Sequence, residues 1–366
     1  MVTHLQEQRK DSELLSSFQE FFAGKMNLAR IKFLVILIQA LCKVQTVSLY
    51  KLATAFDGGR DHMASHRRIQ RFFAAYVLNL DLVARFIFFL LPEKDSLVLS
   101  MDRTNWKFGD TDINVLTLAV AYKGVGFPIL FTMLPKRGNS NTEERINLMD
   151  RFVRLFGKKC IDCLTADREF VGSKWIGYLN SMRIRYHIRI KENFWVHNPK
   201  SSEKVRVRHL FHGVHVNEEK WLPNIYLVKG EYCYLAAARY INRDGNAELQ
   251  VIISYNKPEQ SVQKYKLRWQ IECAFKAMKS SGFNIEDTHL YILERVERLF
   301  AVICIALCWA YLVGLAKHYN LKPIKTLPNG YLAKSFVKYG LEEIAHVLYN
   351  QSYISKINIF KIFDIY

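Results

Sequence analysis

LVLSMDRT, residues 97–104, is an apolar run that stops on an aspartate, and this pairing of strand and carboxylate organises the reading of its neighbours. Leu97 to Met101 is almost continuously apolar, as expected of a strand covered on both faces. Ile113 to Tyr122 and Val125 to Leu134 read as two further strands separated by Lys123 and Gly124. Ser140 and Asn141 precede Glu143 and Glu144 at capping-box spacing, which predicts a helix running to about Phe156 and ended by Gly157. Cys160 to Ala166 is another apolar strand, followed by Asp167, by a helix near Gly172 to Asn180 and by an alternating strand from Arg183 to Ile190. The expected order is β, β, β, α, β, α, β. Asp102 and Asp167 both emerge where apolar strands stop, so in an open sheet with the first and fourth strands adjacent they converge at one edge. Either alone is an ordinary strand-end aspartate. Together they suit a hard cation such as magnesium or manganese.

Working outward toward the amino terminus, residues 1–91 read as a separate helical domain, with apolar clusters such as Phe33, Leu34, Ile36, Leu37 and Leu41 and no strand-like alternation. Val47 to Phe56 is a short amphipathic segment, Gly58 and Gly59 supply a break, and Asp61 to Tyr76 resumes as a basic helix. This is a helix-turn-helix pattern in which Arg60, His66, Arg67 and Arg71 are candidate DNA contacts, and a solvated basic face gives the same pattern.

Working outward in the other direction, residues 191–255 read as an all-β insertion, with turn signals at Lys229–Gly230 and Asp244–Gly245. After Pro258 one long helix is expected over residues 261–280. At roughly 100 degrees per residue, Tyr265, Arg268, Glu272 and Lys279 fall within an arc of about 60 degrees on that helix. Leu267, Ile271, Ala274, Phe275 and Met278 form the core-facing stripe, leaving the polar face for a ligand. That face is about 21 Å long, enough for four polar side chains to follow a nucleic-acid backbone past a metal centre. Glu272 completes a three-carboxylate set with Asp102 and Asp167. Arg268 offers a fork for phosphate, Lys279 a point charge and Tyr265 a hydroxyl donor. The region carrying the three carboxylates therefore spans 92–320, and 321–366 is expected to be a helical carboxyl-terminal segment.

Composition agrees with a polyanionic partner. The 366 residues carry 52 Lys and Arg against 34 Asp and Glu, a formal net charge of +18 that favours nucleic acid through counterion release. Half the residues are hydrophobic, enough for a substantial core. Seven cysteines, an odd number, argue against a disulfide framework and for a reducing cytoplasmic setting. Cys160 and Cys163 form a CxxC without a second pair at zinc-finger spacing, so core thiols are expected there and at Cys304 and Cys308. The uncharged run Leu299 to Ala316 is long enough to raise the question of a membrane span. Its placement after a charged helix favours a buried core helix.

Tyr-x2-Arg-x3-Glu-x6-Lys, matched at Tyr265, Arg268, Glu272 and Lys279, resembles the signature of IS4-type DDE transposases. The segments Asp102-Arg103-Thr104, Asp167-Arg168-Glu169-Phe170 and Arg268-Trp269-Gln270-Ile271-Glu272 are similar to that family's three acidic blocks, in the same order. The likeness covers roughly residues 95–315. It implies an RNase H-like mixed α/β sheet flanked by helices, with Asp102, Asp167 and Glu272 holding two Mg2+ ions that Mn2+ can replace. It also implies a synaptic homodimer that acts on terminal inverted repeats, with nicking, hairpin formation, excision and strand transfer into target DNA. Glu169 stands where many relatives have glycine, and a structural role is expected for it. An aromatic residue of the insertion stabilises a flipped base in related enzymes; Trp195 and Trp221 match no motif and are expected to be core or strand residues. Thr104, Asn105 and Trp106 follow the first acid and are assigned no chemistry. Two other readings remain open: a DNA-binding protein that has lost transposition, and a nuclease that cuts without joining.

Overall fold

The structure is a computed structural model that describes residues 13–56, 61–201, 203–242, 244–350, 353 and 355–364. Arg60, with Gly58 and Gly59, lies outside the described residues. The chain forms two compact units. One holds residues 1–92, 105–114 and 273–366, and the other holds 93–104 and 115–272.

The first unit is mainly helical. Helix α1 covers residues 13–22, and α2 Leu28–Val44, α3 Leu49–Thr54, α4 His62–Ala75 and α5 Leu80–Phe89 follow. Asparagine and aspartate side chains start three of them: Asn27, Asp61 and Asn79 accept hydrogen bonds from the backbone N–H groups of Ala29, Met63 and Leu82. The two helices expected within 47–76 are present as α3 and α4, and the break expected between them lies outside the described residues.

The second unit holds most of a sheet whose strands are β1 Leu97–Phe108, β2 Thr111–Tyr122, β3 Val125–Met133, β4 Ile161–Ala166, β5 Tyr186–Ile190, β6 Trp195–His197, β7 Lys204–Arg206, β8 Glu219–Trp221, β9 Tyr226–Val228, β10 Glu231–Ile241 and β11 Ala247–Ser254. Their order is β3-β2-β1-β4-β5-β11-β10-β9-β6-β7, with β8 beside β10. The β1–β4 and β4–β5 pairs are parallel, whereas β2–β3, β5–β11 and β10–β11 are antiparallel. This is the expected mixed α/β sheet with parallel strands at its centre. The connections are α6 Thr142–Phe156, α7 Ser173–Ser181 and the short α8 Val207–Leu210. Helix α6 starts with the predicted capping box, Asn141 with Glu144, and ends at Gly157, whose φ of 82° favours glycine.

Three details depart from the sequence reading. Strand β1 does not stop at Asp102 but continues to Phe108, because beyond the apolar run its residues alternate, with Thr104 and Trp106 buried and Asn105 and Lys107 exposed. The 191–255 segment, read as an all-β insertion, includes the short α8 and joins the central sheet, since β10 and β11 extend that sheet from the edge of β5. The helix expected over 261–280 is two helices, α9 Ser261–Lys266 and α10 Trp269–Lys279. Between them the N–H groups of Leu267, Arg268, Gln270 and Ile271 reach back three residues, at 3.1, 3.0, 3.1 and 3.1 Å, in a tightened turn. No Gly or Pro marks that break, so the apolar periodicity runs through it.

Gly126 on β3 receives the start of α10. A Cβ there would lie 3.0 Å from the Ile271 Cα and 3.2 Å from the Gln270 carbonyl oxygen, so only glycine admits the helix this close.

The helical unit is completed by α11 Leu293–Asn320 and α12 Phe336–Tyr349. Every residue from Leu299 to Ala316 is buried, and α11 packs against α2, α5 and α12. Its apolar length therefore serves a protein core. At the α11–α12 crossing Gly314 and Gly340 face one another's helix backbones with no space for a side chain. The tail is less helical than expected, since beyond Tyr349 the only described helix is a single 3-10 turn, Ile362–Asp364. All seven cysteines are free and six are buried, Cys160, Cys163, Cys304 and Cys308 among them, in line with core thiols.

Candidate active site

Parallel pairing of β1 with β4 brings Met101 level with Ala166, so the next residues, Asp102 within β1 and Asp167 just past the end of β4, stand side by side. Each aspartate is fixed by the amide that follows it: Arg103 N–H donates to Asp102 Oδ1 at 2.8 Å, and Arg168 N–H to Asp167 Oδ1 at 2.7 Å. Asp167 also caps the 3-10 turn Arg168–Phe170.

Tyr265 and Arg268 join these acids to Glu272. The Tyr265 hydroxyl donates to Asp167 Oδ1 at 3.3 Å, and the Arg268 guanidinium lies 5.5 Å from the Tyr265 ring centre. Arg268 Nη1 donates to Asp102 Oδ2 at 3.1 Å while Nη2 donates to Glu272 Oε1. Tyr265 was expected on a ligand-exposed helix face; it is buried, packed with Ala236, Ala238, Ile252 and Val262. The helix break is the reason, because it gives Tyr265 to α9 and Glu272 to α10.

Burial shapes the electrostatics. Loss of water pushes the Asp102 carboxyl up to about 6, against the pull of Arg268 and of the Arg103 amide, and Glu169 and Glu272 add to the rise. Burial likewise raises Tyr265 to about 12, opposed by Arg268 and reinforced by Asp167. Burial disfavours the charge on Arg268, but Tyr265, Glu272 and Asp102 more than offset this and hold its pKa above the ordinary value.

The donors are carboxylate oxygens, the chemistry a hard divalent cation takes. Asp102 and Asp167 fit such an ion as neighbouring carboxylates at adjacent parallel strands, at the same level of the sheet. Among the described residues no three His, Cys, Asp or Glu side chains are gathered around one point, because Glu272 is held by Arg268. The positive charge between Asp102 and Glu272 is supplied by the guanidinium.

Lys279, the last residue of α10, is in the helical unit, where its Nζ donates to the Asn105 carbonyl at 2.8 Å and pairs with Glu286 at 2.8 Å. In the same unit Arg67 and Arg71 are exposed on α4 and His66 is half-buried. His66 and Arg71 line a cleft with Tyr50, His289 and Arg295. Arg68, not counted among the contacts, instead lies over the Phe33 ring at 4.7 Å. Trp195 and Trp221 are on strands but are not core residues: they are 53% and 47% exposed, and the Arg206 guanidinium lies 5.0 Å from the Trp195 ring centre.

One contact escaped the sequence reading. Arg103 and Glu169 form a two-pronged ion pair, Nε to Oε1 at 2.7 Å and Nη2 to Oε2 at 2.9 Å, across the two acidic blocks. Its signal was present: opposite charges stand one and two residues beyond aspartates expected at the same sheet edge.

Residues 93–309 match the transposase DDE domain family. No curated protein matches the chain.

Proposed function

The chain belongs to the DDE transposase family, whose members cut DNA and transfer strands and generally use divalent metals, and on that premise we propose the activity of its site. It binds the terminal inverted repeats of an IS4-type insertion sequence, cleaves the transposon ends and joins them to target DNA. The observation that carries this reading is the single network linking Asp167, Tyr265, Arg268, Asp102 and Glu272.

Asp102, Asp167 and Glu272 would hold two Mg2+ ions, or Mn2+ in their place. Bound there, such ions supply activation of water or of a DNA 3′ hydroxyl and stabilisation of the leaving oxygen during in-line displacement at phosphorus. The Tyr265 hydroxyl orients the Asp167 carboxylate. Arg268, whose fork fits a phosphodiester as well as it fits carboxylates, contacts the DNA end, and Lys279 adds a point charge to a phosphate. Arg60, His66, Arg67 and Arg71 bind the repeat through the amino-terminal helices. The working species is a homodimer in the cytoplasm, with the helices beyond residue 320 as its contact.

The test is cleavage of a labelled duplex carrying the terminal repeat, in Mg2+, by the native protein and by Glu272→Ala. Cutting at the transposon boundary by the native protein, with binding but no cutting by the variant, supports the three-carboxylate mechanism. Equal binding with no cutting by either refutes it and leaves a DNA-binding relic. Cleavage without strand-transfer products would instead identify a nuclease.

A further inference from the structure

Arg103 directly follows Asp102 and carries a permanent positive charge, so its side chain is a rival for any cation that Asp102 binds. In the structure that rivalry is suppressed. Glu169, on the 3-10 turn after β4, takes both faces of the guanidinium fork, at 2.7 and 2.9 Å. Two further donors are also engaged: Nη1 reaches the Gly138 carbonyl at 2.7 Å and Nη2 the Asn139 Oδ1 at 2.9 Å. The Arg103 and Glu169 side chains are only 13% and 22% exposed, so the pair is sheltered from solvent screening. From Arg103, Asp102 receives the backbone amide on Oδ1, while its Oδ2 takes Arg268 Nη1 at 3.1 Å.

Glu169 is itself held in place. The buried Arg145 on α6 donates to the Glu169 carbonyl at 3.2 Å, donates through Nε to Ser140 Oγ at 2.8 Å, and lies 4.8 Å from the Phe170 ring centre. The turn over 138–140 and the two acidic blocks are thus tied together by two arginines with different tasks. Arg145 fixes the backbone of the Glu169 turn, and Glu169 fixes the side chain of Arg103.

We propose that Glu169 is a positioning residue that holds the Arg103 guanidinium off Asp102, keeping that carboxylate open to a divalent cation. This rests on the reading of Asp102 as a metal ligand. Without Glu169, the Arg103 guanidinium is released one residue from the Asp102 carboxylate and pairs with it as a second cation beside Arg268. A purely structural role for Glu169 makes a different prediction, because removing Arg103 as well would then repair nothing.

The experiment measures Mn2+ binding to the full chain, by the electron paramagnetic resonance signal of free Mn2+, with thermal unfolding as a check on folding. Glu169→Ala should weaken Mn2+ affinity by about ten- to hundredfold, the range expected when one close cationic partner competes for the carboxylate. The double variant Arg103→Ala with Glu169→Ala should recover most of that loss. Glu169→Gln, which keeps one hydrogen bond to Arg103, should lie between native and Glu169→Ala and serves if the alanine variant does not fold. Native-like affinity in the Glu169 variants, or a double variant no better than Glu169→Ala, overturns the proposal while leaving the site intact, provided that Asp102→Asn loses Mn2+. If Asp102→Asn binds Mn2+ as the native protein does, the reading of the metal site fails and takes this proposal with it.

Discussion

Replacing Asp102 with Asn should stabilise the protein at neutral and alkaline pH in the absence of divalent ions. The carboxyl rises from 3.8 to about 6 on folding, chiefly because burial removes its water. At roughly 1.4 kcal/mol per pH unit, holding Asp102 ionised in the native state costs about 3 kcal/mol relative to the unfolded chain. Since the folded pKa lies above the unfolded one, the native state binds the proton more tightly. The stabilisation this gives is complete below about pH 4 and is lost as pH rises through about 6. Asn has nearly the shape of Asp and no charge to desolvate, so it should gain up to about 3 kcal/mol at pH 8 and nothing at pH 4. Arg268 loses one partner but keeps Glu272, which limits the offsetting loss. Thermal unfolding followed by circular dichroism in EDTA, from pH 4 to pH 8, should show the variant melting several degrees above native only at the upper end. A variant less stable than native at pH 8, or a difference that does not change with pH, would refute the reasoning. It would mean that Arg268 and the Arg103 amide already compensate the charge in full.

Gly126→Val should destabilise the sheet unit by about 1–3 kcal/mol, the usual range for overpacking, because its side chain would have to displace Ile271 and Gln270 at the start of α10; urea unfolding measures this, and a neutral result would mean that α10 can retreat freely. Arg67→Ala with Arg71→Ala should weaken binding to the terminal repeat and flatten its dependence on salt by about two ions' worth of slope, while activity on preassembled ends persists; equal loss of both activities would count against α4 as the DNA-reading helix. Lys279→Ala should impair end binding or cleavage without lowering the yield of folded protein, even though it removes a hydrogen bond to Asn105 and an ion pair with Glu286; a collapsed folding yield would make Lys279 a structural lysine.

The parts of this molecule that are legible in the sequence are those where local chemistry and tertiary structure agree. The Asn141–Glu144 capping box and the left-handed Gly157 mark both ends of α6 within a residue of expectation, because caps are local. The convergence of Asp102 and Asp167 was legible because two buried parallel segments leave a strong apolar signal and each apolar run is followed by an aspartate. Three features were not. The outer half of β1 is polar, and its alternation of Thr104 and Trp106 against Asn105 and Lys107 is too short to stand out. The union of β10 and β11 with the central sheet depends on pairing between β5 and β11, across more than 50 residues, which no local pattern encodes. The break at Leu267–Arg268 has neither Gly nor Pro, and the apolar stripe of α10 is in phase with the residues before it.

That break determines how the acids are arranged. On an uninterrupted helix Arg268 and Glu272 would be an ordinary i,i+4 pair on one exposed face, and surface pairs of that kind contribute little. The tightened turn instead separates Tyr265, which is buried and reaches Asp167, from Glu272 on the following helix, and leaves Arg268 between them. One guanidinium can then satisfy a strand carboxylate and a helix carboxylate together. A chain with a net charge of +18 has no shortage of cations to pair with acids. Here two arginines flank the first acid, Arg268 pairing with it directly and Arg103 diverted to Glu169. A surplus of positive charge brings DNA to the surface, but inside the site the same surplus would quench the carboxylates unless each arginine had a fixed assignment. The Arg103–Glu169 pair and the placement of Arg268 are those assignments: the first joins residues one and two positions beyond the two aspartates, and the second follows from the tightened turn between α9 and α10.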